Sequence, residues 1–385
     1  MAALFLLNPL PARCEDAAAA DQELDTVYVS APEEKSAPAN QAGSQSSIDS
    51  VTIEQRMVRN IKDLIRYEPG VNVGNDPQRF GASGFTIRGL GGNRVLMQID
   101  GVRLPEAFRI GSFASANRNA VDMDALKAVE ITRGSGSASY GGDAMGGTVN
   151  FVTKDPRDYL NVFGQDVYTG LKLNYNTTDN GFVQTGTLAG ELGGWEAMAL
   201  FTHTHSNETD NKGYIDTLGG DRTAPSPQDN RSYNLLAKLL YRFNDDNVLR
   251  LTGEWLDSQA DVDALYLRGP DISLRTVNSM LTTDTQSRWR LTLDHTLKHL
   301  DTPLFDDAMW KFYTQKSATG QVTVQDRTAR TDGNTLTERI FDFANDDFGG
   351  ELKLAKSFDW ADSRHNLQYG GQISKNSIAQ LRDGS

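Results

Sequence analysis

The sequence predicts two parts: a compact α+β domain over about residues 52–155, then the strands of a transmembrane antiparallel β-barrel over 160–385. In the first part, short strands alternate with glycine-rich turns. From about Asp166 the strands lengthen and polar and apolar residues alternate, as in "DVYTGLKLNYNTT". Short turns fall at one end of these strands and long polar segments, 207–229 and 259–283, at the other. This asymmetry is typical of outer-membrane barrels, whereas a soluble sandwich usually has shorter strands and loops.

Composition excludes several functional classes. Charged residues make up 23% and aromatic residues 9%, which indicates a folded chain. The formal net charge of −13 argues against nucleic-acid binding, which needs a basic surface. Cys14 is the single cysteine, so a disulfide framework and a cysteine zinc site are excluded. The sequence also contains no apolar run long enough for a membrane-spanning helix.

Residues 1–20, "MAALFLLNPLPARCEDAAAA", are similar to the end of a signal peptide. A short apolar run is followed by proline and then by an alanine-rich stretch. The basic start of a signal peptide is missing, so we expect a truncated one. The alternative is a frayed N-terminus.

A short β-prone strip, "LDTVYVSA" at 24–31, stands beside a flexible segment. Residues 32–50 are rich in Ser, Ala, Gln and Pro and contain almost no large apolar group, which predicts a linker. The strip has no neighbouring strand of its own. This pattern favours pairing with the sheet of another protein.

Within the first part, "IEQRMVRNIKDLIRY" predicts one helix over 53–67, because Ile53, Met57, Ile61, Leu64 and Ile65 recur at helical spacing. "MDALKAVEITRG" predicts a short helix that leads into a strand at 128–132. "GGTVNFVTK" predicts another strand.

The strand count raises a problem of closure. The second part contains roughly nine or ten predicted strands. A barrel that houses a domain of about 100 residues needs about 22, because the lumen widens with strand number. We therefore expect the chain to be the N-terminal piece of a longer protein.

The stretch "TIRGLGGNRVLMQIDGVRL" at 86–104 could be taken for a nucleotide-binding loop. A dinucleotide-binding fingerprint needs three glycines in register before a helix, and here a β-alternation follows instead. No G-K-[ST] sequence of a phosphate loop occurs. Asp100-Gly101 instead predicts a two-residue hairpin turn.

These segments together resemble the TonB-dependent outer-membrane receptors. The strip resembles a TonB box, 86–104 resembles the central plug motif, and "DALKAVEITRGSGSASYGGDAMGGTVNFVTK" resembles the closing plug motif. Within this family, the sequence is most similar to the haemoglobin and haem receptor branch, as in "FVTKDPRDYL" and "THTHSNETDNKG". The resemblance implies an α+β plug domain inside the transmembrane β-barrel, in the bacterial outer membrane and in contact with its lipid.

The resemblance also implies a mechanism and site residues. TonB would supply energy from the inner membrane, so neither a nucleotide site nor a cofactor is expected, and the protein is not an enzyme. Arg88 and Arg133 match plug arginines that pair with barrel glutamates in the family. The TonB-binding residues would be Asp25, Thr26, Val27, Tyr28, Val29, Ser30 and Ala31. The other plug-motif positions are Gly89, Asp100, Gly101, Glu130 and Gly134.

The ligand is expected to be haem or haemoglobin-borne haem, with a ferric siderophore as the alternative. Phe108, Arg109 and Phe113 lie in the loop after the central motif and would suit a flat, anionic porphyrin. Packing within the plug is an equally good interpretation of the two phenylalanines. No histidine precedes His203, so the iron ligands stay unknown. A secreted β-rich enzyme is a further alternative, but the chain lacks a Ser/His/Asp motif, an HExxH sequence or a clear carboxylate pair.

Overall fold

The computed structural model describes residues 3–5, 45–110, 114–135, 144–164, 166–270, 275–329, 333–360 and 363–384. A small α+β domain lies against an open sheet of long antiparallel strands. The predicted strip 24–31, most of the linker and of the signal peptide, and Phe113 lie outside the described residues.

The small domain is built from short elements in three sheets. A five-stranded sheet has the order β2-β10-β11-β6-β7, β3, β4 and β5 form a second sheet, and β8 pairs with β9. The bounds are β2 (Gln45–Asp49), α1 (Ser50–Gln55), α2 (Ile61–Leu64), β3 (Val71–Asp76), β4 (Gly81–Ile87), β5 (Leu90–Gly91), β6 (Val95–Ile99), β7 (Val102–Arg103), β8 (Phe108–Ile110), β9 (Ala114–Ala116), β10 (Leu126–Arg133) and β11 (Gly147–Thr153).

The core of this domain lies between its main sheet, its second sheet and its helices. Val149 and Phe151 of β11 are fully buried, and Ile61 and Leu64 of α2 pack into the same cluster. Burial of each such side chain contributes roughly 1.5–3 kcal/mol. The domain therefore has a hydrophobic core of its own.

The prediction of one helix over 53–67 is wrong. Two short helices replace it, because Met57 adopts a left-handed conformation with a φ of 50°. The Asn60 side chain then accepts bonds from the backbone N–H groups of Lys62 (2.9 Å) and Asp63 (3.0 Å), which starts a new helix. As a result Met57 is exposed and Val58 is buried in its place.

The helix α3 (Arg157–Phe163) connects the domain to the long-stranded sheet, in the order β1-β12-β13-β14-β15-β16-β18-β19-β20-β21, with β17 beside β18. All pairs are antiparallel, and β1 pairs with β12. The bounds are β1 (Ala3–Phe5), β12 (Val167–Asn176), β13 (Gly181–Leu192), β14 (Trp195–Asn207), β15 (Gln228–Asn244), β16 (Asn247–Asp263), β17 (Gly269–Pro270), β18 (Arg275–Leu297), β19 (Asp307–Ala329), β20 (Gly333–Trp360) and β21 (Ser363–Gly384). The predicted number of strands agrees with the nine long ones described here.

The connections differ between the two ends of this sheet. Gly193-Gly194 and Asp245-Asp246 make tight turns at one end. The longer connections that follow β14 and β16 lie at the other, which we call the long-connection end. The predicted loop over 259–283 is shorter than expected, because β16 and β18 extend into it from both sides.

The outer face of the sheet carries an apolar band. Leu239, Leu251 and Leu293 lie side by side across three strands and are each more than a third exposed. Aromatic side chains border the band, with Trp195 and Tyr241 on one margin and Trp255 and Trp289 on the other. Leu235, the partner of Trp255, and Tyr241 are about 20 Å apart along β15 at the usual rise per residue. This is the arrangement of a lipid-facing surface. Among the described residues, no helix has the length and apolar character needed to span a membrane.

Candidate functional site between the small domain and the sheet

The Asp100-Gly101 turn projects from the small domain toward the sheet. Both residues have a positive φ, 50° and 77°, and Ile99 pairs with Val102, so the predicted hairpin turn is present. The Asp100 carboxylate accepts bonds from the Thr153 backbone N–H (2.9 Å) and hydroxyl (2.7 Å). These bonds orient the carboxylate toward the inner face of the long-stranded sheet, which we call the wall.

Two positively charged side chains of the wall donate hydrogen bonds to this turn. Lys311 Nζ of β19 donates to the Asp100 carbonyl oxygen at 2.6 Å. Arg290 of β18 donates to the Ile99 carbonyl, and its Nη2 lies 3.3 Å from Asp100 Oδ2. A Cβ on Gly101 would lie 2.7 Å from Lys311 Nζ, so a larger residue there would have to displace the lysine. Although burial alone would raise it, the nearby charges of Lys238 and Arg290 hold the pKa of Asp100 below its ordinary value.

Glu254 of β16 balances the buried cations. Its carboxylate lies 2.7 Å from Arg290 Nη2 and also accepts a bond from Arg288. Both arginine side chains are nearly inaccessible to solvent. Unpaired charges at this depth would be strongly unfavourable, so the group of Asp100, Glu254, Arg288 and Arg290 forms one interdependent set.

The segment that leaves the small domain is also held by paired charges. Asp155 lies 2.8 Å from Lys238 Nζ and 3.6 Å from Arg250 Nη2. Burial by itself would raise the pKa of Asp155, but the positive charges of Arg250 and Lys238 outweigh this effect and lower that pKa below its ordinary value. Further along, Glu196 of β14 is bound at 2.8 Å by both Arg157 and Arg242.

Three contacts secure the domain near the long-connection end, against β18, β19 and β20. Arg79 binds both carboxylate oxygens of Asp284, at 2.6 and 2.9 Å. The Gln321 side chain bonds both to the backbone N–H of Ser115 (2.7 Å) and to its carbonyl (2.8 Å). Phe108 stacks on Phe341 and Phe343, with ring centroids 5.9 and 5.2 Å apart.

The wall of β12 to β15 is less tightly filled. Asp124 bridges to Lys172 (2.7 Å) and to the Thr185 hydroxyl (2.5 Å), and Arg59 binds Asp179 at 2.9 Å. Between these two contacts lies a cavity of about 330 Å³.

The predicted arginine pair occupies another face of the domain. Arg133 Nη2 lies 2.6 Å from Glu68 Oε2 and also donates to the Ser46 hydroxyl at 3.1 Å. Its partner is thus a glutamate of the same domain, instead of the barrel glutamate that the resemblance implies. Arg88 is exposed, and among the described residues no carboxylate forms an ion pair with it. A Cβ on Gly134 would lie 3.7 Å from Arg88 Nη1, so the two arginines belong to one region.

The remaining motif positions have local roles. Gly89 and Gly134 have φ values of 84° and 108°, which favour glycine. Glu130 accepts a bond from the Asn150 amide at 3.0 Å across β10 and β11.

The expected ligand loop is only partly available to a ligand. Phe108 packs against Ala114 and Ala116 of the small domain and stacks on Phe341 and Phe343 of β20, while Arg109 is exposed. The histidines of β14 point outward: His203 stacks on Tyr233 and His205 pairs with Asp229 at 2.8 Å. In the part of the chain that the structure describes, no group of three or more His, Cys, Asp or Glu side chains could hold a metal.

Sequence reasoning missed the wall side of the site. "TQSRWRLTLDH" alternates Arg288 and Arg290 with Trp289 and Leu291, and this pattern could have indicated cations that face a buried lumen. Their partners lie far away in the sequence, so the pairing itself left no local signal.

A family profile described as TonB-dependent Receptor Plug Domain matches residues 37–148, the region of the small domain. The chain belongs to the TonB-dependent receptor family. The small domain is its plug, the long strands are barrel strands, and the protein is located in the bacterial outer membrane.

Individual relatives agree with this assignment. Over 292 residues the chain is 31% identical to "Hemoglobin-binding protein A" of Haemophilus influenzae, covering 70% of this chain and 28% of the relative. It is 32% identical over 220 residues to "Transferrin-binding protein A" of Neisseria meningitidis serogroup B, covering 53% and 24%. The FrpB iron transporter of Neisseria meningitidis has a similar fold, with a TM-score of 0.57 at 15% identity over 89% of this chain and 60% of that one. The chain thus spans about a quarter of the length of these two curated relatives.

Proposed function

We propose that the protein is a TonB-dependent receptor that binds haem, or haem carried by haemoglobin, and imports haem into the periplasm with energy from TonB. It is a transporter and carries out no chemical reaction. Haem is its cargo, and no resident cofactor is needed.

The observation that carries this proposal is the polar character of the plug–wall interface. A plug that never moved would be held best by apolar packing, because buried ion pairs stabilise less than hydrophobic replacements. A plug that moves must expose its interface to water. The carboxylates and cations at Asp100, Glu254 and Arg290 can each be hydrated when they separate, which lowers the cost of that exposure.

The connection to TonB would run through the N-terminal segments. Residues Asp25 to Ala31 would add as a strand to a sheet of TonB, and the part of the predicted linker that precedes β2 would give them reach. The last residues of the predicted linker, 45–50, belong to β2 and α1 instead. A pull on this segment would meet β2 first, whose Ser46 hydroxyl bonds to Glu68 at 2.7 Å and to Arg133. We propose that Arg133 and Glu68 resist this pull, and that Arg88 contributes in the same region.

The ligand assignment is supported by the names of relatives. One relative is named for haemoglobin binding, which favours haem as the cargo. Another is named for transferrin binding, so iron taken from transferrin is the second candidate. Arg109 is exposed on the plug loop near Phe108 and would attract the propionates of haem.

Spectral titration of the purified receptor with haemin and with haemoglobin tests the ligand. We expect a shift of the Soret band at about micromolar haemin. A dissociation constant of this order corresponds to a binding free energy of about −8 kcal/mol. Apo-transferrin, iron-loaded transferrin and a ferric siderophore serve as comparison ligands. An unchanged Soret band together with tight binding of the siderophore or of iron-loaded transferrin would replace haem by that ligand.

A further inference from the structure

The plug is held unevenly by the wall that the structure describes. Against β16 to β20 it is secured by three contacts. Arg79 donates two hydrogen bonds to Asp284, the Gln321 side chain forms two hydrogen bonds with the Ser115 backbone, and Phe108 stacks on Phe343. Against β12 to β15 the plug is held by the Asp155–Lys238 and Arg157–Glu196 pairs where the chain leaves it, and the remaining contacts stand apart from one another. Arg59–Asp179 lies at the long-connection end, where Asp179 also bonds to Asn176, the last residue of β12. Asp124–Lys172 lies about 13 Å farther along β12, given the four residues from Asn176 to Lys172 at the usual strand rise.

The cavity between these two ion pairs is mainly polar on its wall side, whereas the plug side also contributes apolar side chains such as Ile53, Val58 and Val121. Its wall is formed by short side chains with amides and hydroxyls, and the plug contributes 53–60 and 121–124. The lining residues that matter here are Asn174, Asn176, Thr202, Thr204, Ser206 and Ser232. A cavity of about 330 Å³ with such a lining favours water over an empty void, since roughly 30 Å³ suffices for one water molecule.

We infer that this cavity is the place where a hydrophilic or charged solute passes the plug, along the inner wall of β12 to β15. This inference rests on the proposed transport function. The Arg59–Asp179 pair marks its entrance and the Asp124–Lys172–Thr185 contact forms its floor. The plug segments 53–60 and 121–124 move away from the wall during transport, while the side that faces β16 to β20 stays attached.

The charges near the floor are consistent with a contact that separates. Asp122 Oδ2 is buried without a hydrogen-bond partner, and the Asp124 carboxylate lies two residues away. The Lys172 side chain is 30% exposed and that of Arg79 only 1%, so the Asp124–Lys172 pair is better hydrated and costs less free energy to separate than the Arg79–Asp284 pair.

Reversible cross-linking in the receptor as its cells produce it tests this inference. In a Cys14→Ser background, Asp124→Cys with Thr185→Cys joins the floor of the cavity, and Ser115→Cys with Gln321→Cys joins the opposite side. A short, reducible bis-thiol reagent closes each pair. We expect the floor cross-link to lower energy-dependent uptake by about tenfold or more, and reduction to restore it, because a gating segment is immobilised. The Ser115–Gln321 cross-link should leave uptake nearly unchanged.

Uptake that survives the floor cross-link, or that stops with both cross-links, would overturn the inference. Each protein is compared with itself before and after cross-linking, so a cost of the substitutions does not enter. Loss of haem uptake in the unmodified receptor would instead contradict the proposed function, which is a separate result.

A second measurement uses milder variants. Ser232→Cys lies in the cavity, and Ser115→Cys lies in the tight contact with Gln321. During active transport, labelling of Ser232→Cys by a small hydrophilic thiol reagent should accelerate severalfold, while labelling of Ser115→Cys should stay slow. Equal acceleration at both positions would mean that the whole plug leaves the wall, contrary to the inference.

Discussion

Arg290 Nη2 lies 3.3 Å from Asp100 Oδ2 and 2.7 Å from Glu254 Oε2, so one guanidinium joins a plug turn to the barrel wall. The arginine is almost fully buried between the two carboxylates. This relationship makes the seating of the plug depend on charge pairing at a single point.

A double-mutant cycle at these residues should show strong coupling. Arg290→Gln leaves Asp100 and Glu254 without their shared cation and should destabilise the plug by about 3–5 kcal/mol. Asp100→Asn should cost less, because Glu254 still neutralises Arg290. The coupling free energy should be about 1–3 kcal/mol, measured from plug release in urea followed by limited proteolysis. Lys316→Gln is the control, since its pair with Asp346 is exposed and should be worth less than about 1 kcal/mol.

Gly101→Ala should cost more than Gly92→Ala. Both glycines have positive φ values, 77° and 65°, so both substitutions carry backbone strain of about 1–2 kcal/mol. Only at Gly101 does the new methyl meet Lys311 Nζ; a Cβ at Gly92 has open space. Displacing Lys311 from the Asp100 carbonyl should add about 1 kcal/mol or more. Equal unfolding free energies for the two variants would remove Lys311 from the account.

The lipid-facing band predicts a position-dependent cost of charge. Leu251→Arg places a cation at the middle of the band and should destabilise the barrel by about 2–4 kcal/mol. Gln259→Arg lies on the same strand and face but beyond the aromatic margin at Trp255, so it should cost about 0–1 kcal/mol. Unfolding in lipid vesicles measures both. Similar values would mean that Leu251 does not face lipid.

Long-range pairing accounts for most of what the sequence left undetermined. The alternation of strands such as β12 predicted that their side chains divide between two faces, because the period of two follows from strand geometry. The Asp100-Gly101 turn was predictable for the same local reason. Asp100 and Arg290, however, are 190 residues apart, and no spacing rule connects them. The prediction of a single helix over 53–67 was wrong because Met57 adopts a left-handed conformation that ends the first helix, and the Asn60 side chain caps the start of a second one.

Asp122 should make plug stability fall as pH rises. Burial, followed by the charge of Asp124, raises the pKa of Asp122 to about 7 from 3.8. The folded plug therefore keeps the proton that the unfolded chain loses, and the resulting penalty grows between about pH 4 and pH 7 and then levels off. Asp122→Asn should flatten this dependence and stabilise the plug at pH 8. Stability followed by urea unfolding from pH 5 to pH 8 measures it.

Asp49→Asn is the control for that experiment. Its pKa is lowered, mainly by hydrogen bonds from Thr52, so its contribution is lost only at acidic pH. The slope between pH 5 and pH 8 should therefore be that of the wild type. A wild-type slope in Asp122→Asn as well would assign the pH dependence to other groups.

Uptake of labelled haem by cells whose receptor lacks residues 25–31 tests the central claim most directly. The matched control lacks 32–38, an equal length of the linker, where only reach is changed. We predict that both variants bind haem like the wild type, that uptake continues in the linker variant, and that uptake stops when 25–31 is missing. Haem uptake at the wild-type rate without residues 25–31 would contradict TonB-driven transport by this protein.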